Sequence, residues 1–347
     1  VRSYSIELHH GAIAELPRWL ADLATSKCVL IYDANVERHA QELLKRHPMV
    51  ALKVMPGEEQ KSLSALSMLY DGLAAAKADR QTLVLAMGGG VIGDLAGFAA
   101  ASFNRGLPLV MIPTTLLAMV DSSVGGKVGI NHPAGKNLIG AFHQPRGVWI
   151  DTHYLSTLPD REFRSGLAEV VKYGIILDSA FFHWLEQHTD AILNKDQTAL
   201  AHIITRSCQL KAQVVEQDEF ETTGIRALLN FGHTLGHAVE KVTGYGYLLH
   251  GEAVAIGMVF ACRLAERLGM IKNNITRRVS HLLHLFHLPT EVDPNLSPTK
   301  LVAAMQHDKK NVAGQLRFVL PTDIGIVKSG IVVEQTIVAN LLQQKAH

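Results

Sequence analysis

Cysteine is scarce in this chain: Cys28, Cys208 and Cys262 are the whole complement of 347 residues. They form no CxxC or paired spacing, which excludes a disulfide framework and a thiolate zinc site. Long apolar runs are missing too. The longest, around Val254 to Ala261, falls far short of a membrane span. The opening Val1-Arg2-Ser3-Tyr4 lacks the apolar segment of a secretory signal. A cytoplasmic protein with no membrane role is expected. Nor does one sign of charge prevail, since 33 Lys+Arg against 32 Asp+Glu leave a formal net charge of +1. No overall field recruits nucleic acid, and any anion site must come from a local gathering of cations. Repeats and low-complexity segments are absent. What is present is 48% hydrophobic and 19% charged, a globular composition with length for one large domain or two ordinary ones.

The first half alternates short β-rich runs with helical patterns. Strands are expected at Cys28–Tyr32, Ala51–Met55, Leu83–Met87, Leu109–Ile112 and Val148–Ile150, and helices near 35–47, 62–78 and 94–103. This is the pattern of an α/β protein with a mostly parallel sheet. From about Asp160 helical patterns dominate, at 162–177, 179–193, 197–216, 226–242, 251–268, 274–285, 298–307 and 333–344. Only Leu316–Leu320 and Gly325–Val327 look like strands there. The expected division falls at Leu158-Pro159: a nucleotide-type α/β domain over 1–158 and a mostly helical domain over 159–347.

Thr82-Leu83-Val84-Leu85-Ala86-Met87 runs directly into Gly88-Gly89-Gly90-Val91-Ile92-Gly93-Asp94. Glycines 88, 90 and 93 match GxGxxG after a strand and before a helix, where a missing side chain lets backbone approach a pyrophosphate. Alone the motif is weak, since a tight strand-to-helix turn reads the same way. The usual acidic residue about 20 residues later is missing. Asp33, at the end of an earlier strand, and Glu58 with Lys61 are the substitutes for holding a ribose. A helix cap before Val36 is the plainer role for Asp33. Thr114 and Thr115 end the next strand. Asp121-Ser122-Ser123-Val124-Gly125-Gly126-Lys127 and Asn131-His132-Pro133-Ala134-Gly135-Lys136-Asn137 read as glycine-rich loops whose lysines suit anions.

Arg226, Asn230, His233 and His237 stand at offsets 0, 4, 7 and 11, and on a helix all four would project within an arc of about 60°. Their neighbours are apolar, so the stripe is costly to bury without a metal or an anion to compensate it. Glu169 and Lys172 share another apolar helical stretch, either as a plain ion pair or as metal ligand and acid–base group. A catalytic zinc takes three His or carboxylate ligands and leaves one position open. Spacing does not decide which two of His233, His237 and His250 would join Glu169. His281, His284 and His287 read as a surface helix face.

Several of these segments together resemble the 3-dehydroquinate synthase family of sugar-phosphate cyclases. The resemblance runs through Gly88 to Phe98, Pro113-Thr114-Thr115-Leu116-Leu117-Ala118, Asp121 to Lys127, Lys136 to Phe142 and Glu169-Val170-Val171-Lys172-Tyr173-Gly174. It continues in Asn230-Phe231-Gly232-His233-Thr234-Leu235-Gly236-His237, His250-Gly251-Glu252 and Asp308-Lys309-Lys310. It implies a Rossmann-like NAD-binding domain followed by a mostly α-helical metal- and substrate-binding domain. It also implies NAD and a divalent metal, zinc first and cobalt as the alternative, with Glu169, His233 and His250 as ligands. NAD contacts would be Asp33, Glu58, Lys61, Gly88, Gly89, Gly90, Val91, Ile92, Gly93, Asp94, Thr114, Thr115, Lys127, Lys136, Tyr154, Leu155, Ser156, Thr157 and Leu158. Substrate contacts would be Asp121, Lys127, Asn137, Lys172, Lys211, Arg226, Asn230, His237 and the pair Lys309 and Lys310. Arg105 would reach the phosphate in the neighbouring subunit of a homodimer.

The implied reaction converts a small sugar phosphate, 3-deoxy-D-arabino-heptulosonate 7-phosphate, to 3-dehydroquinate and phosphate. It runs through transient oxidation by NAD, β-elimination of phosphate, re-reduction, ring opening and an intramolecular aldol closure. The chain departs from the family pattern at Met119, where Gln is expected, and at Val128, where Thr is expected. Glu221-Thr222-Thr223-Gly224 also makes a link one residue longer than usual. The nearest competitor is a relative with the same machinery, another sugar-phosphate cyclase or a variant accepting an amino substrate. A metal-dependent alcohol or glycerol-phosphate dehydrogenase and a non-catalytic NAD- or metal-binding protein are the competing classes.

Overall fold

The computed structural model describes residues 3–23, 27–244, 246–306 and 315–344, which group into two compact units. The first comprises Val1–Pro159 and Leu200–Ala212. Its strands are β1 (Ser5–His9), β2 (Cys28–Asp33), β3 (Val50–Val54), β4 (Leu83–Gly88), β5 (Leu109–Pro113), β6 (Lys127–His132), β7 (Gly135–Phe142) and β8 (Gly147–Asp151). Its helices are α1 (Leu16–Asp22), α2 (Glu37–Arg46), α3 (Leu63–Ala75) and α4 (Gly90–Ser102). Six strands form one parallel sheet in the order β1-β8-β5-β4-β2-β3. β4, β5 and β8 are buried along their whole length. That is why they read as continuous apolar runs and not as an alternation.

The strand order reverses between β2 and β4. The chain steps from β2 to β3 in one direction and from β4 through β5 to β8 in the other. In such sheets the carboxyl ends of the strands beside the reversal are where ligands bind. Asp33 ends β2 and Gly88 ends β4, so both lie at that point.

Two expectations are corrected in this unit. The segments around Lys127 and Lys136, expected as loops, form the antiparallel hairpin β6–β7. Gly125 and Gly126, at φ 98° and 68°, turn the chain into it. The register shifts between Ile130 and His132, and Asn137 sits in that irregularity at φ 52°. Such irregularities re-aim a side chain. β1 was not expected at all; its residues alternate polar and apolar and are only half-buried at the sheet edge.

The second unit comprises Asp160–Ala199 and Gln213–His347. Its helices are α5 (Asp160–Leu177), α6 (Ser179–Gln187), α7 (Thr189–Leu193), α8 (Gln197–Gln217), α9 (His233–Thr243), α10 (His250–Arg267), α11 (Asn273–Leu285), α12 (Pro298–Gln306) and α13 (Gln335–Gln343). Of α8, residues Leu200–Ala212 group with the first unit. One antiparallel pair, β9 (Leu316–Asp323) with β10 (Ile326–Val333), completes it. α5 and α10 are buried over most of their length, and both pack on one another. Gly251 permits this: a Cβ there would overlap the Ser165 carbonyl, and its N–H donates to Ser165 Oγ at 3.0 Å. No helix of the described residues is long and apolar enough to cross a membrane.

Candidate functional site

The expected single helix over 226–242 is not formed. Ile225–Asn230 is a 3₁₀ turn, Phe231 leaves it extended, and α9 begins only at His233. The break is Gly232, at φ 79°, a conformation that would strain any other residue. A side chain there would also collide with Met258 and the Val254 carbonyl on α10. Arg226, Asn230, His233 and His237 therefore share no single helix face. His233 and His237 keep their one-turn relation on α9, with ring centroids 5.3 Å apart.

What the second unit brings together is Glu169, His233 and His250. One ligand atom of each lies within 4.8 Å of the others. Glu169 is fully buried on α5, and its Oε1 accepts no hydrogen bond. Oε2 pairs with the buried Lys172 ammonium one turn on. Oε1 faces Nε2 of His233 at 3.6 Å and Nε2 of His250 at 3.8 Å. The other nitrogens face acceptors: His233 Nδ1 lies 3.0 Å from the Phe231 carbonyl, and His250 Nδ1 3.5 Å from Glu240 Oε2. With a proton on each Nδ1, two Nε2 lone pairs and one carboxylate oxygen face each other. A divalent cation fits that donor set, which is His₂Glu with Nδ1 atoms held by outer acceptors.

His237 is exposed, with its ring 6.0 Å from that of His250. It belongs to a second triplet with Glu240 and His250. Arg226 is buried; its Nη1 donates to the Glu219 carbonyl at 2.9 Å. Asn230 is half-buried at the end of the 3₁₀ turn. Asp218 holds this segment. It accepts from the backbone N–H groups of Thr222 at 2.8 Å, Thr223 at 3.1 Å and Arg226 at 3.1 Å. Burial pushes its carboxyl up, and these amide donors outweigh it, bringing the pKa down to about 2. The long link contains Glu221 at φ 57° and Gly224 at φ 82°, so the extra residue is absorbed in a looped turn.

The first unit carries the remaining positions. Gly88, Gly89, Gly90 and Gly93 all keep negative φ, so the turn uses their missing side chains and not left-handed backbone. A Cβ on Gly89 would press on Thr115 at 3.1 Å, and one on Gly90 on Ser122 at 3.2 Å. Val91, Ile92 and Asp94 follow in the first turns of α4. Asp33 Oδ1 accepts from the Asn35 N–H at 2.8 Å, so one of its oxygens does serve as a cap. Burial raises its pKa, with that amide opposing. Lys61 is buried and donates to Asp94 Oδ2 at 2.7 Å and Asn137 Oδ1 at 2.5 Å, with Glu58 Oε1 at 3.7 Å. Asn131 completes the network, donating to Glu58 at 2.8 Å and accepting from the Asn137 N–H at 2.9 Å.

Asp121 lies in a π-helical turn, Ala118–Ser122. Lys211, buried on α8, donates to its carbonyl at 2.6 Å and its Oδ1 at 2.7 Å. Thr114 is buried and Thr115 half-buried at the end of β5. Lys127 is exposed at the start of β6, and Lys136 half-buried in β7. Tyr154 and Leu155 are buried in the 3₁₀ turn Thr152–Ser156, Ser156 and Thr157 are exposed, and Leu158 is half-buried. Arg105 is exposed on a turn where Asn104, Arg105 and Gly106 are all at positive φ. Met119 is fully buried and Val128 packs against Gly97, so both departures are core positions. Lys309 and Lys310 lie outside the described residues.

Glu240 and Asp218 carry this arrangement without having been singled out in the sequence. The signal for Glu240 was its place three residues past His237, on the same face of α9. Asp218 ends α8 and gives no signal beyond that.

Fold and site define a class: a parallel α/β unit with a glycine-rich turn at its strand reversal, and a helical unit carrying a His₂Glu cation set. Two family models match side by side, 3-dehydroquinate synthase N-terminal over residues 51–165 and 3-dehydroquinate synthase C-terminal over 166–311. A 3-dehydroquinate synthase of Desulforamulus reducens is 49% identical over 333 residues, 94% of this chain and 92% of that protein. Among solved structures, 2-epi-5-epi-valiolone synthase from Streptomyces hygroscopicus subsp. jinggangensis, with NAD+ and Zn2+ bound, superposes with a TM-score of 0.89. It is 31% identical, over 99% of this chain and 96% of that one. A 2-deoxy-scyllo-inosose synthase complexed with carbaglucose-6-phosphate, NAD+ and Co2+ also reaches 0.89, at 27% identity over 97% and 96%. The chain belongs to the 3-dehydroquinate synthase family.

Proposed function

We propose that this chain is a phosphate lyase that converts 3-deoxy-D-arabino-heptulosonate 7-phosphate to 3-dehydroquinate and inorganic phosphate. The observation that carries the reading is the convergence of Glu169, His233 and His250 beside Lys172 in a chain 49% identical to a 3-dehydroquinate synthase. NAD and a divalent cation, zinc or cobalt as in the two solved relatives, are its cofactors. Residues 1–158 would bind the dinucleotide and 159–347 the cation and substrate. Glu169, His233 and His250 would hold the cation; Asp33, the Gly88–Asp94 turn and Thr114–Thr115 would hold NAD. When bound, the dinucleotide supplies reversible hydride exchange and the cation supplies Lewis acidity.

The chain's own residues bind and orient the substrate. Lys172, buried beside Glu169, presents its Nζ to an anionic oxygen of the substrate. Lys127, Arg226 and Asn137 serve the substrate's carboxylate and phosphate. Lys211, held by Asp121, adds a further cation, and His237 supplies a hydrogen bond or a proton at a substrate oxygen. The substrate's own phosphate takes the proton that its departure requires, so no free carboxylate base is needed. Ring closure depends on this fixed geometry more than on further acid–base groups.

Arg105 would complete the phosphate site of a neighbouring copy, which makes the enzyme a homodimer. Its exposed turn with three successive positive φ values supports that role. Three free, buried cysteines accord with the reducing cytoplasm as its location. The test is turnover with substrate, zinc and trace NAD. Phosphate should be released over many turnovers per NAD with no net NADH; NADH accumulating in step with product would place the chain among the dehydrogenases.

A further inference from the structure

Glu240 is a buried acid to which the proposed function gives no role. It lies on α9, 5% exposed, with Oε2 3.5 Å from Nδ1 of His250. The same ring turns Nε2 toward Glu169. His233 is arranged alike, Nδ1 on an acceptor and Nε2 toward Glu169. The difference is in the acceptor: His233 uses a backbone carbonyl two residues away, whereas His250 uses a side chain from another helix. His233 is also 11% exposed at its side chain, against 33% for His250. The more exposed ring stands at the first position of α10, with the Glu240 carboxylate at its Nδ1.

We propose that Glu240 is a positioning residue for the cation set: it accepts the Nδ1–H of His250 and so commits the Nε2 lone pair of that ring to the point it shares with Glu169 and His233. The inference rests on the assignment of those three residues as the cation ligands. A neutral imidazole has one lone pair and two tautomers. An acceptor at Nδ1 selects the tautomer whose lone pair is on Nε2 and stops the ring from turning away.

The competing arrangement is a second cation held by His237, Glu240 and His250. Both sets draw on His250. An ion on each nitrogen would require the ring to lose its last proton, so the two sets compete for His250. The inner set contains the fully buried carboxylate whose Oε1 accepts no hydrogen bond. The first ion therefore goes there, and Glu240 is left as the outer partner.

The test uses the full-length protein loaded with zinc, with affinity read by competition against a chromophoric chelator. Glu240→Ala removes the acceptor, and Glu240→Asp keeps a carboxylate but withdraws it by one methylene. Both should weaken zinc binding about 10–100-fold. Glu240→Gln, whose amide carbonyl still accepts, should stay close to the parent. ¹⁵N-imidazole NMR of the zinc-free protein should show the Nδ1–H tautomer of His250 in the parent and in Glu240→Gln, and a tautomer mixture in Glu240→Asp. Should Glu240→Ala fail to fold, the Asp and Gln pair carries the same contrast. Parent-like affinity in Glu240→Asp overturns the proposal, as does equal weakening in all three variants in step with their melting temperatures. Two zinc ions per chain in the parent would overturn it in favour of a second site. His233→Ala keeps the two failures apart, since full zinc retention there refutes the ligand assignment and not the role of Glu240.

Discussion

The two units treat their buried charges in opposite ways. In the first, Lys61 meets Asp94 and Asn137, and Asn131 links Asn137 to Glu58. Donors and acceptors match before any ligand arrives. In the second, a carboxylate oxygen of Glu169 faces two imidazole nitrogens whose ring partners are already committed to acceptors. Acceptors face acceptors. A matched network stabilises the fold by itself, whereas a mismatched one is costly until a cation occupies it. Self-closure therefore marks a scaffold under a ligand site, and mismatch marks the place a ligand must fill.

Removing one side of the mismatch should have the largest effect. His233→Ala and His250→Ala should each lose bound metal and turnover together, and chelator dialysis of the parent should do the same, reversed by zinc. Because an ion that binds only the folded state raises its stability, zinc should raise the melting temperature of the parent but not of either variant. Metal analysis and calorimetry on the same preparations check this. Full metal content and turnover in His250→Ala would refute the ligand set.

The comparison sharpens at His237, one turn from His233 but exposed. His237→Ala should keep its metal near the parent level while losing about 10²–10⁴-fold in kcat, the scale of a lost acid–base partner. Metal lost in proportion to activity would move His237 into the ligand set.

Breaking the matched network should cost stability first. Lys61→Met takes the ammonium from the half-buried Asp94 and the exposed Asn137, so the loss should lie at or below the low end of the about 1–3 kcal/mol that a buried acceptor costs when left without its donor. Urea unfolding should show that loss, and NAD titration should show weaker binding, with zinc affinity unchanged. Burial raises the Asp94 pKa and Lys61 opposes this, so Asp94 in the variant should titrate higher than in the parent. Unchanged unfolding in Lys61→Met would show that the network is not self-supporting.

The parts of this molecule legible in the sequence are those where one physical cause dominates. Four of the sheet's strands, β2, β4, β5 and β8, are buried apolar runs, and α5 and α10 are long, mostly buried segments, so burial alone announces them. β1 escaped because an edge strand alternates weakly, and β6–β7 because glycine, lysine and asparagine read as loop chemistry. The stripe from Arg226 to His237 met the helical period, yet Gly232 interrupts it, and periodicity carries no information about φ. Residue types for the cation set were visible at Glu169, His233 and His250. Which nitrogen of each ring faces which acceptor was not, because that depends on how α5, α9 and α10 are brought together. Glu240 escaped for the same reason, since an acid on a helix face reads as solvated until its neighbour on another helix is known.

The smallest effect concerns Asp218, which belongs to the second unit yet is matched as the first unit's network is. Its oxygens take the N–H groups of Thr222, Thr223 and Arg226, and its folded pKa of about 2 lies below the ordinary 3.8. A depressed carboxylate contributes stability that is fully present above its unfolded value and is lost as pH falls toward the folded one. Asp218→Asn keeps one accepting oxygen and cannot ionise, so it lacks this pH-dependent part. The parent should exceed Asp218→Asn in urea midpoint at pH 6, and the gap should narrow as pH falls from about 4 toward about 2. Taking the difference cancels the other carboxylates, which titrate in both proteins. A gap that stays constant across that window would mean the three amides hold the Arg226 turn without help from the charge.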